Sequence, residues 1–392
     1  MQQTRARTPW LDYLRGFITV LVVAHHSSLA YTTFASFNKK AYILSTHPVV
    51  DTVRSVFLDI FEDFNDVFFM SLMFLISGIF VLPALARKGP RQFTIDRFKR
   101  LFIPFAIGVT ILMPLAYIPA WVLAKGNFDP KAYLIDFFTV EAWPVGPPWF
   151  IWVLFAFNII LALVYNRTRP LLEKAGPGFA RLSEHPTRLF LVGYTITWCL
   201  YIPLMLLYGP DAWTGIGPFD FQLSRIVLYF GYFILGALIG GQGLGKGLLA
   251  ESAVFRKKAP AWVAAAILAY TLLKLSPSPL TNLIDKHQLT KMGASLIYRS
   301  LWVLSCIASS LAFLALFPRL FRRSRKAWDS LSANAYGIYL VHYIFVIWIQ
   351  FGLLQIEISA TAKFAITFLL SLSISWWVTA RARKLTVISK YL

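Results

Sequence analysis

Ten apolar runs, each long enough or nearly long enough to cross a bilayer, succeed one another along this chain. They lie at about 12–34, 66–86, 101–124, 149–165, 189–209, 223–243, 259–276, 295–317, 331–354 and 360–380. Hydrocarbon offers no water to backbone N–H and C=O groups, so a spanning segment must satisfy them internally. No alternation of apolar and polar residues suggests a barrel, and each run therefore reads as a helix. The expected fold is an all-α polytopic membrane bundle of about ten transmembrane helices, forming a single domain over residues 1–392. Only 14% of the residues are charged, against about 25% in a typical soluble domain.

The net charge of +20 would suggest nucleic acid on a soluble protein. Its distribution argues for topology instead. With a cytoplasmic N-terminus, 27 of the 38 Lys and Arg residues fall in cytoplasmic segments and 7 on the opposite side. That asymmetry predicts N- and C-termini both in the cytoplasm and an even number of spans. The acids go the other way: Asp51, Asp59, Glu62, Asp63 and Asp66 crowd the first outer connection, where FLDIFEDF is expected to form a short interfacial helix. Such outer acids disfavour a polyanionic acceptor, and a cationic inner face would draw anionic head groups or a polyanionic ligand. Arg5 and Arg7 precede an apolar run without a small-x-small cleavage site, so the first span is expected to stay attached. Cys199 and Cys306 sit in apolar runs and read as small core residues, with no disulfide framework.

Within the first run, Leu11–Ser28 carries Asp12, Arg15, His25 and His26. Ionisable groups in hydrocarbon are costly and usually functional. On a helix, Arg15 and His26 differ by roughly 20° around the axis, with His26 ~16 Å deeper. Asp12 shares that side, whereas His25 points about 100° away. One face thus presents an acid, a guanidinium and an imidazole at increasing depth. His26 could act as a general base, or be a satisfied core histidine. Arg15 could bind an anionic group or snorkel to the surface. In DRFKRLFIPF, Arg97 and Arg100 would point the same way on a helix, as a phosphate-binding pair or as positive-inside anchors. Ser77–Gly78 marks a place where a neighbouring helix can approach closely. Trp149 and Trp152 suit interface anchors, and Arg225 would snorkel or pair with an acid such as Asp220. A second polar stripe, Ser332, Tyr336, Tyr339 and His342, runs along a later span as functional groups or as polar glue between helices. No metal-ligand spacing, phosphate loop, dinucleotide fingerprint or nucleophile elbow is present.

Taken in order, LDYLRG with His26, MFLISGIF, DRFKRLFIP, WFIWVLFAF, YFGYFILG and LSANAYGIYLVHYIF resemble the blocks of membrane acyltransferase family 3. These are integral-membrane O-acyltransferases of bacterial glycans. The family's first-span signature, an Arg or Lys and a His with ten residues between, is met by Arg15 and His26, and Asp12 belongs to the same block. The branch it looks most like succinylates periplasmic glucans. The resemblance implies a multi-pass protein of the bacterial inner membrane that takes acyl-CoA from the cytoplasm as donor, without a metal. It passes an acetyl or succinyl group to a hydroxyl of an extracytoplasmic saccharide or glycan. The implied partners are acyl-CoA, the glycan acceptor and the lipid bilayer, with no nucleic acid. His26 would be the catalytic base, with Asp12 and Arg15 in the catalytic block. Arg15 would help hold the donor, and Arg97, Arg100 and Ser77 would bind it. The rival reading is a secondary transporter using intramembrane charges as a pathway.

Overall fold

The structure is a computed structural model that describes residues 9–243, 245–251 and 253–391. Arg5 and Arg7 lie outside the described residues. The chain is almost wholly helical; one two-stranded antiparallel ribbon pairs Trp213–Thr214 with Phe221–Gln222. The long helices are α1 (Pro9–Leu29), α2 (Val56–Ile79), α3 (Val81–Lys125), α4 (Trp149–Ser183), α5 (Pro186–Tyr208), α6 (Ile226–Gly241), α7 (Ala259–Leu275), α8 (Lys291–Leu320), α9 (Lys326–Leu353) and α10 (Ala360–Ala382).

Among the described residues, eight helices are long and apolar enough to cross a membrane. The two long helices outside that set are α1 and α2, of 21 and 24 residues. At 1.5 Å per residue they reach ~31 and ~36 Å, enough to cross, but their ionisable residues make them less apolar. The helices richest in intramembrane charge are those that build the site.

Several boundaries differ from those expected. Helix α1 ends at Leu29, and residues 30–55 turn back into the bundle. FLDIFEDF is no separate interfacial helix; it forms the first turns of α2, continuous with the span. The basic connection 87–100 is helical and runs into the third span, with its break at Gly89, whose φ of 74° suits a residue without a side chain. Helix α4 continues well beyond residue 165. Cys306 is buried as expected, but Cys199 faces outward from α5.

Small residues set the closest helix pair. A Cβ added at Gly236 would stand 2.0 Å from the Leu75 carbonyl oxygen, and one at Gly240 1.7 Å from that of Ile79. A Cβ at Gly78 would stand 2.1 Å from the Phe233 carbonyl oxygen. Without these side chains α2 and α6 approach to backbone contact, and dispersion is gained where lipid supplies no hydrophobic drive.

Prolines join α3 to α9. Pro104 has no N–H for the carbonyl four residues earlier, and that carbonyl, of Arg100, accepts the Tyr336 hydroxyl at 2.7 Å instead. Pro119 likewise frees Leu115, whose carbonyl accepts the Trp348 indole N–H at 2.9 Å. Two π-helical turns, Phe98–Phe102 before Pro104 and Gly108–Leu112 after it, adjust the register along this helix. In hydrocarbon such freed carbonyls need a partner, so each proline fixes a tertiary contact.

Segment 30–55 forms a partly buried plug, exposed at 38–40 and 52–54. Tyr31, Thr32, Tyr42, His47, Val49 and Asp51 are all buried. Glu141 accepts the backbone N–H groups of Tyr42 and Ile43 at 3.2 and 2.8 Å. Burial pushes the Glu141 carboxyl above its ordinary range, against the pull of those donors. Lys363 of α10 meets Asp51 at 2.6 Å, both side chains 1% exposed.

An uncompensated buried charge costs about 3–5 kcal/mol. Lys363→Met is therefore expected to lower stability by about that amount, and adding Asp51→Asn is expected to recover most of it. Thermal unfolding of detergent-solubilised protein measures both.

Candidate active site

Helix α1 lies against α2 on one side and α9 and α10 on the other. Its first turns stand at the end of the bundle rich in Lys and Arg, its last turns under the plug. At the basic end Arg15 and Asp12 pair at 3.1 Å across one turn, on the shared face that helical spacing predicts. Asp12 is fourteen residues before His26, ~21 Å along the axis, so it serves the Arg15 end of the helix.

Arg15, Ser77, Arg97 and Arg100, from α1, α2 and α3, line one cavity of about 330 Å³. Tyr336 and Tyr339 of α9 and Phe150, Ile151 and Leu154 of α4 complete much of its wall. Three guanidinium groups gather in it, while aromatic and aliphatic side chains supply apolar wall. The Arg97 side chain packs over the Phe93 ring, 4.7 Å from its centroid, and its Nε has no partner among the described residues. A second cavity of about 640 Å³ shares Phe80, Arg97 and Arg100 with the first and adds Arg87 and Lys88. The two Arg residues thus stand where the two cavities meet.

Asn158, absent from the sequence reading, also lines the first cavity. It is 2% exposed, its amide donates to the Leu154 carbonyl at 2.7 Å, and its Oδ1 is unpartnered among the described residues. A lone amide within the apolar run 149–165 was the available signal.

His26 is held one helix away from this chamber by α9. Its Nδ1 lies 3.1 Å from Nε2 of His342 and 3.0 Å from the Val22 carbonyl oxygen. His342 Nδ1 is 2.7 Å from the carbonyl oxygen of Tyr339, which itself lines the cavity. The Tyr339 hydroxyl donates to the Pro147 carbonyl at the start of α4. The second polar stripe therefore does more than join helices: it connects the chamber wall to His26. The Tyr343 ring stands edge-on to His26 at 5.2 Å between centroids, and the His25 ring at 5.4 Å.

The plug adds His47, which sequence reasoning missed because nothing local marks that loop as buried. His47 Nε2 donates to Gln350 Oε1 at 2.8 Å, and Gln350 Nε2 donates to the His26 and Ser27 carbonyls at 3.2 Å each. Those carbonyls belong to the last turn of α1, where no intrahelical donor reaches them. Burial holds the His47 pKa down to about 3, so it is neutral.

His25 turns the other way, as adjacent helical residues must, with Nε2 3.7 Å from Glu62 of α2. One turn further, Asp66 receives both terminal nitrogens of Arg225 at 2.9 and 2.8 Å. Arg225 thus pairs with Asp66 rather than Asp220, because the bundle places its guanidinium against α2, with the Trp302 ring 4.7 Å away. Asp220 instead receives the Trp152 indole N–H on its carbonyl at 2.9 Å, and Trp149 packs between Phe74 and Tyr229. Both Trp residues are packing and bonding groups inside the protein. Among the described residues no group of three or more His, Cys, Asp or Glu is placed to hold a metal ion.

The sequence profile of an acyltransferase domain family, acyltransferase 3, matches residues 8–380. The chain belongs to that family. It is a multi-pass membrane protein carrying the acyltransferase domain of that family. The chain is also similar to proteins named glucans biosynthesis protein C. That of Escherichia coli strain SMS-3-5 is 27% identical over 238 residues, 59% of this chain and 58% of the relative. That of Shigella dysenteriae serotype 1 strain Sd197 is 27% identical over the same shares, and that of Escherichia coli strain K12 is 26% identical. The match spans a little over half the length of these relatives. No solved structure matches the chain.

Gln350→Leu removes both donors to the α1 terminus and the acceptor of His47, so it is expected to cost about 1–3 kcal/mol. Thermal unfolding of the variant beside the wild type reads that loss.

Proposed function

We propose that this acyltransferase moves an acyl group from acyl-CoA, taken at the basic end, to a saccharide hydroxyl presented from the acidic end, with His26 as general base. The observation that carries the reading is the convergence of Arg15, Arg97 and Arg100 on one cavity whose Tyr339 wall leads, through His342, to His26. A CoA thioester is polyanionic at one end and apolar at the other. Guanidinium groups suit its phosphates, with Arg97 and Arg100 at the junction of the two cavities and Arg15 on the α1 side. Ser77 would stand beside the pantetheine arm, and the apolar wall would accept the thioester.

In the reaction, His26 takes the proton of the acceptor hydroxyl as its oxygen attacks the thioester carbonyl. The tetrahedral intermediate collapses with cleavage of the C–S bond, and the imidazolium returns the proton to the departing thiolate. Asp12 would hold the Arg15 guanidinium in place. By the positive-inside rule the basic end is cytoplasmic and both termini lie there, in a bacterial inner membrane. The acceptor would enter past the plug from the other side. The printed name of the relatives supports a glucan-type acceptor, and the acidic outer segments favour a neutral saccharide over a polyanion.

General base catalysis contributes about 10²–10⁴-fold. His26→Ala is expected to lose that much acyl incorporation while inserting normally; incorporation at the wild-type rate would refute the assignment. Arg97→Gln with Arg100→Gln is expected to raise the KM for acyl-CoA by about 10–100-fold, since hydrogen bonds to charged groups are each worth about 1.5–3 kcal/mol. Initial rates with purified protein in liposomes, donor and acceptor varied in turn, measure both effects.

A further inference from the structure

We infer that His342 is a positioning residue that selects the tautomer of His26 and so aims its Nε2 lone pair at the reacting hydroxyl. The inference rests on the proposed role of His26 as base, and it goes beyond that role by naming which nitrogen acts and what enforces the choice.

The argument is one of donors and acceptors. A carbonyl oxygen only accepts, so the 2.7 Å contact to the Tyr339 carbonyl places a proton on His342 Nδ1. A neutral imidazole has one N–H, which leaves His342 Nε2 as a lone pair. His26 Nδ1 faces that lone pair at 3.1 Å and the Val22 carbonyl at 3.0 Å. With acceptors on both sides, His26 Nδ1 must carry the proton, shared between them. The second neutral nitrogen, Nε2, is then the base, and no described residue bonds to it.

The alternatives each oppose lone pairs. If His342 donated from Nε2 as a neutral ring, its Nδ1 lone pair would face the Tyr339 oxygen and the His26 Nδ1 lone pair would face the Val22 oxygen. If His342 were a cation, the Val22 conflict would remain and a charge would be buried in a side chain that is 0% exposed. With both rings neutral, only one protonation pattern satisfies all three contacts.

The arrangement works like a base–orienter pair with an imidazole in place of a carboxylate. When His26 gains a proton at Nε2, the Nδ1–H bond to His342 strengthens without a resident anion in the low-dielectric interior. Tyr339 supplies the last link. Its backbone carbonyl holds the His342 proton, and its side chain lines the donor cavity and bonds the start of α4. The chamber wall and the tautomer are therefore set by one residue of one helix turn.

The test combines kinetics with ¹⁵N NMR of the full-length protein labelled at histidine and solubilised in detergent, His26 signals being assigned by loss in His26→Asn. The expected result is a neutral His26 protonated at Nδ1. His342→Phe removes the acceptor and is expected to lower kcat by about 10–100-fold, the usual cost of losing such an outer partner, with the donor KM unchanged. His342→Gln keeps an acceptor oxygen near the Nε2 position and is expected to recover most of kcat and the Nδ1–H state. A neutral wild-type His26 protonated at Nε2 overturns the inference whether or not the variants fold. So does a His342→Phe enzyme with wild-type kcat while His26→Ala is inactive. Full activity of His26→Ala would instead overturn the base assignment, independently of the NMR result.

Discussion

An imidazole inside a hydrocarbon layer must find an acceptor for its N–H and a use for its lone pair, because no water will serve either. Here α9 meets that demand for His26. His342 and the Val22 carbonyl both meet one of its nitrogens. Much of the bundle can be read outward from this contact. Helix α9 must stand at hydrogen-bonding distance from α1, and Gln350, two turns beyond His342, bonds the exposed carbonyls at the end of α1. The same helix bonds α3 through carbonyls that Pro104 and Pro119 leave open. One helix thus contacts His26 and fixes the element carrying Arg97 and Arg100.

Polar satisfaction and small-residue packing divide the structural work. Where α2 meets α6, glycines let backbones touch and no polar bond is needed. Where cations enter the interior, they come paired with acids: Arg225 with Asp66 and Lys363 with Asp51. The plug 30–55 follows the second rule. It can lie buried because Glu141, Lys363 and Gln350 supply partners for its backbone, its acid and its histidine. Through Gln350 the plug is tied to the end of α1 that carries His26.

The legible parts of this protein were those governed by local periodicity. Apolar runs announced the helices, and the 100° step put Arg15, Asp12 and His26 on one side and His25 on another. The Ser77–Gly78 pair announced a close helix approach, and Gly78 indeed meets the Phe233 carbonyl. Less legible were boundaries set by long-range bonds. FLDIFEDF reads as an interfacial helix because its acids should shun hydrocarbon, yet Glu62 faces His25 and Asp63 meets Lys274, so the helix continues through them. Along the chain Arg225 had Asp220 within reach; the bundle instead brings Asp66 from 159 residues away.

The sequence alone determined that this chain is a helical membrane bundle with a basic end, an acidic end and an ionisable stripe on its first helix. Each of those depends on composition and on residues within a few turns of one another. The resemblance of its blocks to a known family singled out His26. Only the tertiary structure decided which groups meet that histidine: His342 from 316 residues away, His47 through Gln350, and a cavity shared by Arg15, Ser77, Arg97 and Arg100. Hydrogen bonds between helices depend on rotations and offsets of a fraction of a turn. Those are set by the summed packing of the whole bundle, and no local stretch of sequence encodes them.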